Sequence, residues 1–178
     1  MHIEYECTLL EIDKEAFIKL LEMNNATKIG DFHQKRYVYD FNPKVENKWI
    51  RLRTNGEKTT LTIKKIIDKN EIGGNHELEV EVSDFEQTNQ ILNELGYIPR
   101  NYQENDRTSY VLDGVEFDID TWPLIPTYVE IEGKNSDDVK KMIERLNLDT
   151  SKITTYDVTS IYEEIYGINI MDIKELRF

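Results

Sequence analysis

The chain has 178 residues, with 22 Lys and Arg against 35 Asp and Glu, a formal charge of −13, and 39% apolar and 32% charged residues. That length suits one domain with its own core, and the excess negative charge repels nucleic-acid backbones, which excludes DNA and RNA as expected partners. No stretch approaches the ~20 apolar residues of a membrane span, the first residues lack the basic-then-apolar pattern of an export signal, and Cys7 has no second cysteine to pair with, so a cytoplasmic protein with no membrane partner is expected.

Residues 2–10 read as a strand, after which Asp13 can cap a helix whose Ala16, Phe17, Leu20 and Leu21 form an apolar stripe, ending near Asn24 and Asn25. Residues 32–41 alternate as a second strand up to Pro43. WIRLRT and EKTTLTIKK flank Asn55-Gly56, a dipeptide that favours a tight hairpin. Gly73-Gly74 lacks the lysine and hydroxyl residue of a phosphate-cradling loop and reads as a flexible connection to the strand HELEVEV. Ser83 or Asp84 then caps a helix carrying Ile91, Leu92 and Leu95, which Gly96 stops. RTSYVL and VEFDID around Asp113-Gly114 form a second hairpin, and PTYVEIEG is the last clear strand. A third helix starts at Asn135 or Ser136 and contains Val139, Met142, Ile143 and Leu146; a fourth is expected from Tyr156 to Tyr166. The predicted class is α+β: a closed antiparallel eight-stranded β-barrel with strands within 2–133, flanking helices that include 135–170, and a single domain over 1–178.

Hairpin geometry then sorts the charges. A two-residue turn at Asn55-Gly56 sets Arg53 opposite Lys58 and Arg51 opposite Thr60, so Arg51, Arg53, Lys58, Thr60, Thr62 and Lys64 share one face while Ile50, Leu52, Leu61 and Ile63 take the other. The turn at Asp113-Gly114 sets Ser109 opposite Asp118 and Arg107 opposite Asp120. Glu4 and Glu6, then Glu77, Glu79 and Glu81, and finally Glu130 and Glu132 alternate with apolar residues on their own strands. Same-side neighbours on a strand stand ~6.6 Å apart, close enough for carboxylates to repel and to need a cation. A solvated sheet face accounts for any one such strand. It accounts poorly for five, because here the signs stay sorted, and barrel closure would gather these faces around one polar lumen able to hold an ion and a polyanion. Trp49 and Trp122 read as packing residues, Trp122 also as a wall of a tunnel mouth, and His2, His33 and His76 lack any metal-ligand spacing.

These residues carry a resemblance. Glu4-Tyr5-Glu6, the Arg51/Arg53 pair, Lys64, the acidic strand HELEVEV, Arg107 with Tyr110, Asp120, and Glu130 with Glu132 resemble, in order, the motifs of the CYTH superfamily, the triphosphate tunnel metalloenzymes. Thr8 and Asn105 stand where that family's motifs have lysines. The resemblance implies a metal-dependent phosphohydrolase acting on a nucleoside triphosphate, thiamine triphosphate or inorganic tripolyphosphate in the barrel lumen. The open alternatives are a class IV adenylyl cyclase making cyclic AMP and pyrophosphate from ATP, and a non-catalytic nucleotide- or polyphosphate-binding module. It implies Arg51, Arg53, Lys64 and Arg107 as substrate ligands, and Glu4, Glu6, Lys64 and Arg107 as catalytic residues. The implied metal ligands are Glu4, Glu6, Glu79, Glu81, Asp120, Glu130 and Glu132, holding Mg²⁺ or Mn²⁺. The expected partner is a triphosphate-bearing small molecule, and the expected state a monomer or homodimer. Lys152 is expected to replace part of the missing tunnel cation.

Overall fold

The computed structural model describes residues 1–178. The barrel strands are β1 (His2–Leu9), β2 (Thr27–Asp40), β3 (Lys48–Thr54), β4 (Thr59–Ile66), β5 (Asn75–Val82), β6 (Asn101–Leu112), β7 (Val115–Thr121) and β8 (Tyr128–Gly133). They hydrogen-bond in the order β6-β2-β3-β4-β5-β1-β8-β7, and β7 pairs with β6 again to close an antiparallel eight-stranded barrel. Two short strands lie outside the cycle: β9 (Ile153–Thr154) pairs with β1, and β10 (Glu175–Leu176) runs parallel to β6.

Three helices, α1 (Lys14–Met23), α2 (Phe85–Glu94) and α3 (Ser136–Arg145), begin where side-chain caps are available. Asp13, Asp84 and Asn135 accept from the backbone N–H three residues on, at 2.9, 2.7 and 3.0 Å; each such cap stabilises its helix by about 1 kcal/mol. Helices α1 and α3 cover the outer faces of β1, β7 and β8 through Phe17, Leu21, Val139, Met142 and Ile143, packed on Phe117, Ile119 and Ile131. Cys7 belongs to this core, a buried thiol whose pKa burial pushes up to about 12. Helix α2 sets Leu92 against Tyr39, Ile50 and Leu52. No helix covers the outer side of β5, where Leu78 and Val80 stay exposed. No helix is long and apolar enough to cross a membrane.

One end of the barrel is closed by the C-terminal segment. Leu10, Trp122, Ile125 and Tyr128 pack against Ile161, Tyr162, Ile170 and Leu176, and the Tyr162 hydroxyl donates to the Pro123 carbonyl at 2.6 Å. The helix expected from Tyr156 to Tyr166 is reduced to one turn, α4 (Val158–Ser160), which widens into a π-turn over Ile161–Ile165 with the consecutive Ile161 and Tyr162 both buried. The loop from Ile67 to Gly74 leans on the same end, its Lys69 carbonyl accepting from Thr155 at 2.7 Å and its Lys69 ammonium 2.8 Å from Glu164. Gly73-Gly74 is therefore a tight structural turn instead of a flexible connection: a Cβ on Gly74 would fall 1.7 Å from the Asp68 carbonyl oxygen.

The hairpin registers divide. The Asp113-Gly114 turn gives the expected pairs, Arg107 with Asp120 and Ser109 with Asp118. At Asn55-Gly56 the register moves by two: Thr54 faces Thr59, Arg53 faces Thr60 and Arg51 faces Thr62. The cause is the Asn55 side chain, whose Oδ1 accepts from the Glu57 and Lys58 backbone N–H groups at 3.0 and 2.7 Å, drawing residues 55–58 into one loop. An even slip leaves every side chain on its face, so the sorting of charges survives.

Candidate functional site

Arg51, Arg53, Lys64 and Arg107 line one cavity of about 250 Å³ together with Glu4, Glu6, Glu130 and Glu132. The convergence follows from strand alternation. Even-numbered residues of β1, β2, β4, β7 and β8 and odd-numbered residues of β3, β5 and β6 point inward, and the apolar sets turn outward, under the helices everywhere but on β5. Thr8 and Trp49 also line the cavity, so Trp49 is a lumen residue and no mere packing residue. A smaller cavity of about 140 Å³ at the hairpin end is lined by Gln34, Arg53, Asn55, Lys58, Thr60 and Glu79. Arg53 belongs to both cavities.

Most of the lumen charges are already paired. Lys64 holds Glu4 at 2.9 Å and reaches Glu77 at 3.5 Å. Burial opposes ionisation of Glu4, but the Lys64 ammonium and the Arg51 guanidinium outweigh it and hold the carboxyl below its ordinary range. Arg107 Nε donates to Asp120 at 2.7 Å, and its other nitrogens contact Asp120, Asp118 and Glu130. Burial works against the Arg107 charge, yet these three carboxylates raise its pKa well above the usual value. Arg107 thus serves first as the counter-ion of an acidic cluster. Arg51 sits 3.6 and 3.5 Å from Glu77 and Glu79, and Thr62 donates to Glu79 at 2.7 Å.

Two lumen residues of each sign have no partner of opposite charge. Glu6 and Glu132 face each other directly across β1 and β8, and Glu132 faces Glu116 across β8 and β7. The only side chain donating to Glu6 is Asn75, at 2.9 Å. Burial first, and then the neighbouring carboxylates, lift Glu6 to about 7 and Glu132 to about 8. On the positive side Arg53 has no carboxylate within ion-pair distance, and neither does Arg36, a buried residue of β2. Burial and the surrounding guanidiniums depress Arg53 to about 10 and Arg36 to about 9.

The raised acids make a stability prediction with a definite sign. A carboxyl whose folded pKa lies above its ordinary 4.5 favours the protonated folded state, so its contribution is complete below about 4.5 and lost as pH climbs through the folded value. The protein in chelator is expected to melt lower at pH 8 than at pH 5. Glu4 and Glu79, whose pKa values are lowered, act only at more acidic pH. Thermal melts across that range check this, and a melting temperature that climbs steadily from pH 5 to 8 would count against it.

Four predicted residues fall elsewhere. Asp120 is fully buried behind Arg107, which holds its carboxylate, and lines neither cavity. Glu81 is exposed and pairs with Lys58 at 3.4 Å outside the larger cavity. Glu79 lines the smaller cavity only. Lys152 lies outside the barrel, 3.8 Å from Glu11, because the turn that carries it precedes β9 and only β9 reaches β1; it supplies no lumen cation. Conversely Arg36, Asn75, Glu77, Glu116 and Asp118 line the cavity without having been singled out as site residues. Parity on the acidic strand and the second hairpin points to Glu77 and Asp118, and the spacing Gln34, Arg36, Val38 points to Arg36.

The donor set suits a hard divalent cation, because Glu6 and Glu132 offer carboxylate oxygens that no cation engages. No three of the His, Cys, Asp and Glu side chains come together as a closed metal cage. Mg²⁺ bound by one or two carboxylates takes its remaining ligands from phosphate oxygens and waters.

A model of the CYTH domain matches residues 2–160. Among solved structures, the PH1012 protein of Pyrococcus horikoshii OT3 is 24% identical with a TM-score of 0.75, over 87% of this chain and 96% of that one. A candidate adenylate cyclase from Vibrio parahaemolyticus is 11% identical with a TM-score of 0.77, over 93% and 98%. HpAC1 from Hippeastrum, whose dominant activity is that of a triphosphatase, is 16% identical with a TM-score of 0.62, over 97% and 100%. At these identities the likeness is one of fold. No curated protein sequence matches the chain. The family match runs through all eight barrel strands and the motifs that line the lumen, and the chain belongs to the CYTH domain family.

Proposed function

We propose that the protein is a divalent-metal-dependent phosphohydrolase that takes a triphosphate-bearing small molecule into the barrel lumen, as a monomer or homodimer in the cytoplasm. The observation that carries this is the pairing of opposites left unsatisfied in one cavity: Arg36 and Arg53 without carboxylate partners, and Glu6 and Glu132 without a cation. A polyphosphate chain with a divalent ion neutralises both at once.

Arg53, Arg51 and Arg36 bind phosphate oxygens through planar forks. Lys64 anchors Glu4 and adds a point charge beside the chain. Arg107 fixes Asp118, Asp120 and Glu130, so that its role is to position the acidic wall. Glu6 and Glu132 would hold Mg²⁺ or Mn²⁺, which when bound would act as a Lewis acid on phosphoryl oxygens, while Glu4 and Glu130 stay with Lys64 and Arg107 in the same wall. The residues themselves supply alignment and fixed charge, and these two effects account for most of the catalysis of phosphoryl transfer.

The test is incubation with ATP, thiamine triphosphate or tripolyphosphate plus Mg²⁺ or Mn²⁺, with products resolved. Metal-dependent release of inorganic phosphate from at least one of them is expected. Cyclic AMP and pyrophosphate from ATP would replace the hydrolase with a cyclase. Binding without turnover would leave a polyphosphate-binding module, and neither binding nor turnover removes the proposal.

A further inference from the structure

We propose that Arg36, on β2, is a phosphate-binding residue that supplies the lumen cation for which β6 carries Asn105. This rests on the lumen being a polyphosphate site, and it adds a ligand from a strand to which none of the lumen motifs belongs.

Arg36 is 5% exposed, and its guanidinium makes its side-chain hydrogen bonds through Nη2 alone: to Gln34 Oε1 at 2.8 Å and to Asn105 Oδ1. Nε has no partner. The guanidinium carbon lies 4.5 Å from the centre of the Trp122 ring, so the fork rests over that ring at the closed end of the barrel while Arg36 lines the main cavity. A buried guanidinium is costly unless a carboxylate or phosphate engages it. This chain has 35 acidic residues, and none forms an ion pair with Arg36. Orientation without a counter-ion is the arrangement of a group awaiting an anion.

Asn105 explains the placement. It is buried beside Arg36, on the neighbouring strand, where Gln34 and Asn105 face each other. Its Oδ1 accepts from Arg36 and its Nδ2 donates to Asp120 at 3.0 Å. A lysine at that position would bring its ammonium to the same point from the other strand, and the two cations would repel. The lumen has room for one cation there, and the chain places it at position 36.

The prediction is reciprocal. Tripolyphosphate titrated calorimetrically into Arg36→Gln should bind about ten- to a hundredfold more weakly than into the wild type, the loss expected of a charged hydrogen bond. In the double variant Arg36→Gln/Asn105→Lys, affinity should return to within a few-fold of wild type. Asn105→Lys alone should weaken binding, because it sets two cations together. The melting temperature of Arg36→Gln without ligand should not fall, since an unpaired buried charge has been removed, and Arg36→Lys, which keeps the charge and loses the fork, should bind between Arg36→Gln and the wild type. A strut that only stacks on Trp122 gives the opposite pattern: a lower ligand-free melting temperature, and no recovery in the double variant. That result, or wild-type affinity in Arg36→Gln, overturns the proposal. Failure of the wild type itself to bind tripolyphosphate would instead remove the polyphosphate site, and this inference with it.

Discussion

Arg107→Met is expected to lower the melting temperature by about 6–20 °C, the largest effect of any single lumen substitution. Arg107 is the common cation of Asp118, Asp120 and Glu130, and Asp120 is fully buried. Removing one partner of a buried ion network leaves uncompensated charge and costs roughly 3–5 kcal/mol, and each kcal/mol moves the melting point of a protein this size by about 2–4 °C. The remaining carboxylates can escape by taking up protons, so the loss should shrink as pH falls from 8 to 5. Thermal melts at both pH values read the effect. A variant that melts within 2 °C of wild type at pH 8 would mean that Arg107 is not the electrostatic keystone of the acidic wall.

The second large effect is expected from Glu6→Gln combined with Glu132→Gln. Glutamine keeps the shape and removes the charge, so the repulsion across β1 and β8 disappears and the protein in chelator should melt higher than wild type at pH 8. Divalent ion should relieve the same repulsion in the wild type. A ligand at a hundred times its dissociation constant stabilises the folded state by about 2.7 kcal/mol, so saturating Mn²⁺ or Mg²⁺ should raise the wild-type melting temperature by roughly 5–10 °C. The double variant should show almost none of this shift. Turnover should fall by about a hundredfold or more, as when charge stabilisation at a phosphoryl group is lost. Glu130→Gln alone should cost less, because Arg107 already occupies that carboxylate. An unchanged metal response in the double variant would move the ion site away from these two glutamates.

The barrel was legible because its strands alternate strongly. Tyr110, Leu112, Val115, Phe117 and Ile119 pack on the outside, while Arg107, Ser109, Asp118 and Asp120 turn inward, and one Asp-Gly turn sets the register of all of them. The hairpin at Asn55-Gly56 shows what a dipeptide signal leaves open: the turn residues were right, the loop was two residues longer, and only parity was safe. Strand β2 was the least legible part. It begins at Thr27 instead of 32, and from His33 to Arg36 it is polar on both sides, with His33 and Lys35 outside and Gln34 and Arg36 inside. Alternation there sets Arg36 in parity with Gln34 and Val38 but does not mark which side is the lumen, so Arg36 does not stand out from its neighbours. The C-terminal closure depends on contacts between distant segments, such as Leu176 with Gln103, that no local pattern encodes.

Closure of the barrel separates two properties that most binding clefts mix. Eight strands joined by hydrogen bonds around a full cycle set the bore by strand number and tilt, so the walls neither fold inward when a lining charge is deleted nor part when one is added. The outer helices and their apolar contacts are indifferent to what faces the axis. Lining residues outside the Arg107 network can therefore be exchanged singly, and a cation can migrate from one strand to the next, without renegotiating the scaffold. A tube of this kind is a chassis on which phosphate chemistry can be rewired one side chain at a time.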